Sequence, residues 1–114
     1  MQIDEKYCAS VALNDFVAKA TTSTPGQREA TLYIVGDKTS DLKMGVWECT
    51  PGRFTVSRTN TEVVKILSGR VTLHDKGGQS VSHGPGSVFE VRTGWTGEWD
   101  VHETVRKIFM VFPL

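Results

Sequence analysis

From Thr31 to the C-terminus the chain is a succession of short apolar runs, each closed by residues that interrupt regular structure. "TLYIV" stops at "GDKTSD", "MGVWECT" at "PG", "RFTVS" at "RTNT" and "EVVKIL" at "SG". "RVTLH" stops at "DKGG", "QSVSH" at "GPG", "SVFEV" at "RTG" and "WTGEWDV" at "HET", before the closing "VRKIFMVF". Runs of about five to eight residues rich in Val, Ile, Phe, Thr and Trp, with turns every 8–12 residues, mark an all-β sandwich or barrel. No helical period of apolar residues competes after Thr31. Gly77 and Gly78 signal a hairpin, because glycine takes positive φ without steric cost. Gly84–Ser87 reads as a second turn, with Pro85 fixing one φ. Gly69 lies between two apolar runs and is expected to let two strands meet at a sharp corner.

The first thirty residues are different. Val11, Phe16 and Ala20 lie near helical spacing with Ser10 as a candidate N-cap, and "TTSTPGQREA" is a polar connector. Residues 1–30 are therefore expected to form an N-terminal arm with a short helix or turn, and residues 31–114 a β-barrel. A chain of 114 residues suits one domain, and that length buries a core without covalent staples. Thirteen basic and thirteen acidic side chains cancel, so no global field draws in nucleic acid or an anionic membrane. Neither is expected as a partner. Cys8 and Cys49 lack the spacing of a metal knuckle and are read as free thiols in a reducing compartment. The N-terminus has an early acidic residue and no long apolar run, which reads as neither secretory signal nor membrane span. The expected location is the cytoplasm.

Two segments follow the frame of a known family. Gly52 stands where the first cupin motif begins, and Glu62 followed by Gly69 fits its E-x6-G end. Gly86 and Arg92-Thr93-Gly94 follow the second motif, with Arg92 in the proline place. "GVWECTPGRF", "GPGSVFEVRTGWTGEWDV" and "ETVRKIFMVF" together resemble the small single-domain cupins related to ureidoglycine aminohydrolase and the ethanolamine-utilisation cupin domains. The resemblance covers roughly Leu42 to Phe112. It implies a cupin (RmlC-like) double-stranded β-helix, or jelly-roll barrel, that is usually a homodimer and lines a pocket with inward side chains.

A cupin metal site takes three histidines and a glutamate, donors suited to Mn, Fe, Ni or Zn. Here the first two histidine slots fall among Phe54–Asn60 and the third at Gly97, so only Glu62 remains. His74, His83 and His102 read as exposed residues flanking loops, since none is paired as H-x-H on one strand face. No metal and no other cofactor is expected. If Glu62 points inward it needs a partner, because an unpaired buried charge is costly. Lys107 lies in the otherwise apolar row Val105, Phe109 and Val111. It either reaches Glu62 inside the barrel, forming a catalytic pair, or faces solvent.

Arg58 and Asn60 fall in the region of the missing histidines on the face of Glu62, where an arginine can anchor a carboxylate or ureido oxygen or cap a turn. Glu90 and Arg92 share a face with Val88, as pocket lining or as a surface ion pair. Trp47 and Trp99 match the family's tryptophans, as core or as a surface for a planar ligand. Three functions follow. The first is a metal-free barrel pocket that binds or converts a small polar metabolite. The second is a non-catalytic dimeric interaction or regulatory module. The third is a metal-dependent aminohydrolase or isomerase like ureidoglycine aminohydrolase.

Overall fold

The computed structural model describes residues 2–114. A helix, α1 (Glu5–Ser10), precedes β1 (Val17–Ala18), β2 (Arg28–Val35), β3 (Lys43–Cys49) and β4 (Gly52–Ser57). Then come β5 (Thr61–Asp75), β6 (Ser80–His83), β7 (Val88–Val91) and β8 (Thr96–Phe112). Every pairing is antiparallel.

The two long strands β5 and β8 pair from Thr61↔Phe112 to Asp75↔Gly97 and form the spine. Each belongs to both walls. The C-terminal half of β8 pairs with β3 and its N-terminal half with β4. The N-terminal half of β5 pairs with β7 and its C-terminal half with β6. The result is a β-jelly roll whose walls share one bent ribbon. Val64, Ile66, Val71 and Leu73 of β5, and Trp99, Val101, Val105, Phe109 and Val111 of β8, fill the core between them, joined by Trp47, Cys49, Phe54 and Val91.

The bend falls at Gly69, where the β5–β8 register shifts repeatedly between Ile66 and Val71. Gly69 was expected to join two strands; it lies instead inside one continuous strand and takes φ +84°. An added Cβ would sit 2.1 Å from the Thr104 carbonyl oxygen. Glycine is needed here both for its backbone angle and for the close approach of β8. The expected hairpin forms between β5 and β6: Gly78 N–H donates to the Asp75 carbonyl and Asp75 N–H to that of Gln79.

The N-terminal helix starts earlier than Ser10. Asp4 is the N-cap, accepting from Tyr7 N–H at 2.9 Å, and Val11, Phe16 and Ala20 lie outside it. A side-chain carboxylate three residues ahead of a free N–H outcompeted the apolar spacing downstream. The arm is fastened to the outer wall by Arg106, whose guanidinium donates to the carbonyls of Cys8 and Val11 (2.9 and 2.7 Å) and to Glu48 (2.9 Å). No helix among the described residues is long and apolar enough to cross a membrane.

Both thiols are buried, and burial pushes Cys49 up to about 12. Two outcomes are expected. Gly69→Ala lowers stability by at least ~2 kcal/mol in urea unfolding, whereas Gly84→Ala, with nothing near its Cβ, stays within about 0.5 kcal/mol. Iodoacetamide at mildly alkaline pH labels Cys49 only after denaturant is added, because the thiolate is the nucleophile.

Candidate functional site

A cavity of about 510 Å³ opens through one end of the barrel, within the usual range for small-ligand sites. Strand alternation decides what it displays. On β8 the inward row is Val105, Lys107, Phe109 and Val111, all buried, and on β5 it includes Glu62, Val64 and Ile66. Lys107 lies directly across from Trp47 on β3 and Ile66 on β5.

Inside the cavity, Lys107 Nζ donates to Glu62 Oε2 at 2.6 Å. The two residues are 6% and 5% exposed, so this ion pair is out of water. The other Glu62 oxygen, Oε1, lies 3.8 Å from Arg58 Nη1. Nζ also sits 4.4 Å from the ring centres of both Trp47 and Trp99, and 5.9 Å from that of Phe109. Cation–π attraction therefore replaces part of the hydration that the ammonium has lost. Burial pushes the Lys107 amino group below its ordinary value, while Glu62 pulls it back up and the Arg58 and Lys19 cations push it further down.

Arg58 and Asn60 line the same cavity. They do so from the β4–β5 loop rather than from the Glu62 strand, and they are tied to one another: Arg58 donates to the Asn60 side-chain oxygen and, through Nε, to its backbone carbonyl at 3.2 Å. Trp47 and Trp99 both face inward and meet edge to face with centroids 5.9 Å apart. Glu48, next along β3, points outward to Arg106.

Glu90 and Arg92 do not reach the cavity. They form an exposed 2.8 Å ion pair on the outer surface. Val91 takes the inward place on β7 and is buried, while Val88 is 65% exposed. The polar row of β7 faces solvent because the alternate row, Phe89 and Val91, is wholly apolar and fills the core better.

His74 and His83 flank turns as expected, one residue before the end of β5 and at the end of β6, whereas His102 lies well inside β8 and flanks no loop. His74 and His102 lie within β5 and β8, on either side of Asp100 at 3.6 and 3.9 Å. Asp100 stands between the buried Trp99 and Val101, which places this trio on the outer face. Their other ring nitrogens meet Ser80 at 2.6 Å and Thr72 at 2.7 Å. His83 stacks on Phe89 and does not line the cavity.

Among the described residues no group of three His, Cys, Asp or Glu side chains is placed to hold an ion. The donor set around Glu62 does not fit a transition metal. Its carboxylate has an ammonium on one oxygen and a guanidinium near the other, where a second cation would be repelled.

Two contributors escaped the sequence reading. Glu29 Oε1 accepts from Trp47 Nε1 at 2.9 Å, and Lys19 reaches Glu29 Oε2 at 3.5 Å. The signal was the period of two in "REATLYIV", which puts Glu29, Thr31 and Tyr33 together on the cavity side.

The family model described as the EutQ-like cupin domain matches residues 36–109. Among solved structures, the EutQ protein of Clostridium difficile is similar, with TM-score 0.74 and 19% identity over 90% of this chain and 81% of that one. A putative ethanolamine utilization protein of Salmonella typhimurium gives TM-score 0.70 and 17% identity over 86% and 78%. A DUF861-family protein of unknown function from Pseudomonas syringae pv. tomato gives 0.73 and 24% over 88% of this chain and 43% of that one. This chain thus spans under half the length of the last. No curated protein sequence matches. These likenesses establish an all-β cupin jelly roll.

Glu62→Gln strands a buried ammonium and is expected to cost ~3 kcal/mol in urea unfolding. The double replacement Glu62→Leu with Lys107→Met costs less than Glu62→Gln alone, since it removes both charges together.

Proposed function

The chain belongs to the family of EutQ-like cupin domains, and from that premise we propose that its barrel is a metal-free pocket which binds or converts a small polar metabolite. The observation that carries this reading is the Glu62–Lys107 pair, closed at 2.6 Å and buried, yet lining an open cavity. A proton moves between such groups without reorganising solvent, which suits general acid–base work near neutral pH. In this reading Glu62 and Lys107 are the catalytic pair. Arg58 and Asn60 orient the ligand's polar end at the mouth, and Trp47 and Trp99 form the wall against its apolar part.

Cytoplasmic residence and a homodimer belong to the same reading. Their support is two buried thiols without a disulfide, and the exposed apolar side chains Val81 and Val88 on the short strands β6 and β7. A metal-dependent aminohydrolase is disfavoured by the cations around Glu62. A purely structural module leaves a buried ion pair in the cavity without a task, although hydrophobic replacements of such pairs are often at least as stable.

The test is a thermal-shift screen against ureido, amino-acid and sugar-acid metabolites. At least one should raise the melting temperature saturably, and in Glu62→Gln the ligand-induced increment should vanish. No shift from any of them, or a shift that Glu62→Gln leaves intact, overturns the proposal.

A further inference from the structure

The cavity holds three lysines, and only one of them is chemically unusual. Lys19 and Lys43 donate hydrogen bonds from Nζ to the backbone carbonyls of Ala20 and Lys38, Lys19 lying also over the Phe54 ring. Lys107 Nζ has one oxygen partner among the described residues, Glu62 Oε2, and otherwise faces the rings of Trp47 and Trp99. An amine in that setting has its proton acceptor already in place and little water to compete for a carbonyl compound.

The charge balance of the cavity narrows the ligand. Its lining carries four cations, Lys19, Lys43, Arg58 and Lys107, against two carboxylates, Glu29 and Glu62. Glu29 is matched by Lys19 at 3.5 Å and Glu62 by Lys107. Arg58 commits Nε and Nη2 to Asn60, while Nη1 reaches Glu62 only at 3.8 Å, so Nη1 keeps N–H groups on the cavity wall for a further anion. Glu62 thus has an amine at one oxygen and a guanidinium near the other, an order that suits a small molecule with an electrophilic carbonyl carbon at the amine and a carboxylate at the guanidinium.

We infer that Lys107 forms an imine with the carbonyl carbon of a small 2-oxo acid whose carboxylate is held by Arg58. The step balances within the site. The Lys107 ammonium gives a proton to Glu62 Oε2, and the freed lone pair adds to the carbonyl carbon. The carbonyl electrons go to oxygen, which takes a proton from the adding nitrogen. Glu62 then returns its proton to that hydroxyl, which leaves as water while the nitrogen lone pair closes the C=N bond. The product is a protonated imine beside a carboxylate, so the positive charge ends where it began, 2.6 Å from Glu62 and over the two indoles. A site that stabilises the ammonium therefore stabilises the iminium equally. Burial, which pushes the amino group down from its ordinary value, adds to the share of free amine.

This inference rests on the pocket reading, and the experiment separates the two. The full-length chain is incubated with pyruvate and sodium cyanoborohydride, then measured by intact mass and peptide mapping. One carboxyethyl group per chain is expected on Lys107, at pyruvate levels that leave the exposed Lys38 and Lys76 unmodified. Labelling of Lys107 no faster than Lys38 and Lys76 overturns the imine.

Arg58→Met, a change in the mouth loop, should require about tenfold more pyruvate for half-modification, a markedly larger loss than for uncharged hydroxyacetone, which loses only the help that the Arg58 cation gives by pushing the Lys107 amino group down. Equal loss with both compounds overturns the carboxylate assignment. A thermal shift by pyruvate that needs Glu62 but yields no adduct sinks the imine and leaves the pocket standing. The absence of any metabolite shift sinks the pocket itself.

Discussion

The barrel depends on one antiparallel ribbon bending without breaking. β5 and β8 are long enough to serve both walls, and their shared bend at Gly69 is what turns two flat pairings into an enclosure. β3, β4, β6 and β7 pair directly onto this ribbon, and β2 and β1 follow in turn from β3. If Gly69 could not adopt its left-handed backbone against the Thr104 carbonyl, β5 would meet β8 along half its length and the cavity would lose a wall. The same ribbon supplies both members of the buried pair, Glu62 from one end of β5 and Lys107 from the facing stretch of β8. Architecture and chemistry are therefore set by the same hydrogen-bond ladder.

The interior chemistry follows from substituting charges for imidazoles. A cupin wall that keeps its glutamate but has Arg58 and Asn60 in the loop before it presents cations where a metal ion would need lone pairs. Lys107 occupies the middle of the cage with its ammonium between Glu62 and two indoles. Such an arrangement is expensive in desolvation, and it persists because the counter-charge, the ring faces and the flanking apolar row act together. A pair of this kind holds a proton that can be moved, which a filled hydrophobic core cannot do.

Much of this was legible in the residues. Turn spacing marked the strands, and alternation placed Lys107 with Val105, Phe109 and Val111 on a single face. What alternation alone left open was which face was inner when both rows held charges or apolar groups. On β7 the answer lay in purity: Phe89 and Val91 form the all-apolar row, which sends Glu90 and Arg92 outward. Arg58 and Asn60 were harder to place, because the chain leaves β4 at Ser57 and re-enters regular structure only at Thr61, so strand parity does not carry through. The contribution of Lys19 depends on how the N-terminal arm folds onto β2, a long-range event that no local pattern announces, whereas Glu29 stood on the row of "REATLYIV" that alternation marks. Asp4 won the helix start because a cap acts within one turn, whereas the apolar spacing farther along had no partner surface to meet.

Two of the three tryptophans in the chain stand within 4.4 Å of the same ammonium. Indole emission responds to the local electric field, and here both rings face one and the same ammonium. The molecule consequently comes with a built-in optical gauge. Whatever neutralises, displaces or covalently occupies that nitrogen alters the field on both rings at once, and does so without any attached dye.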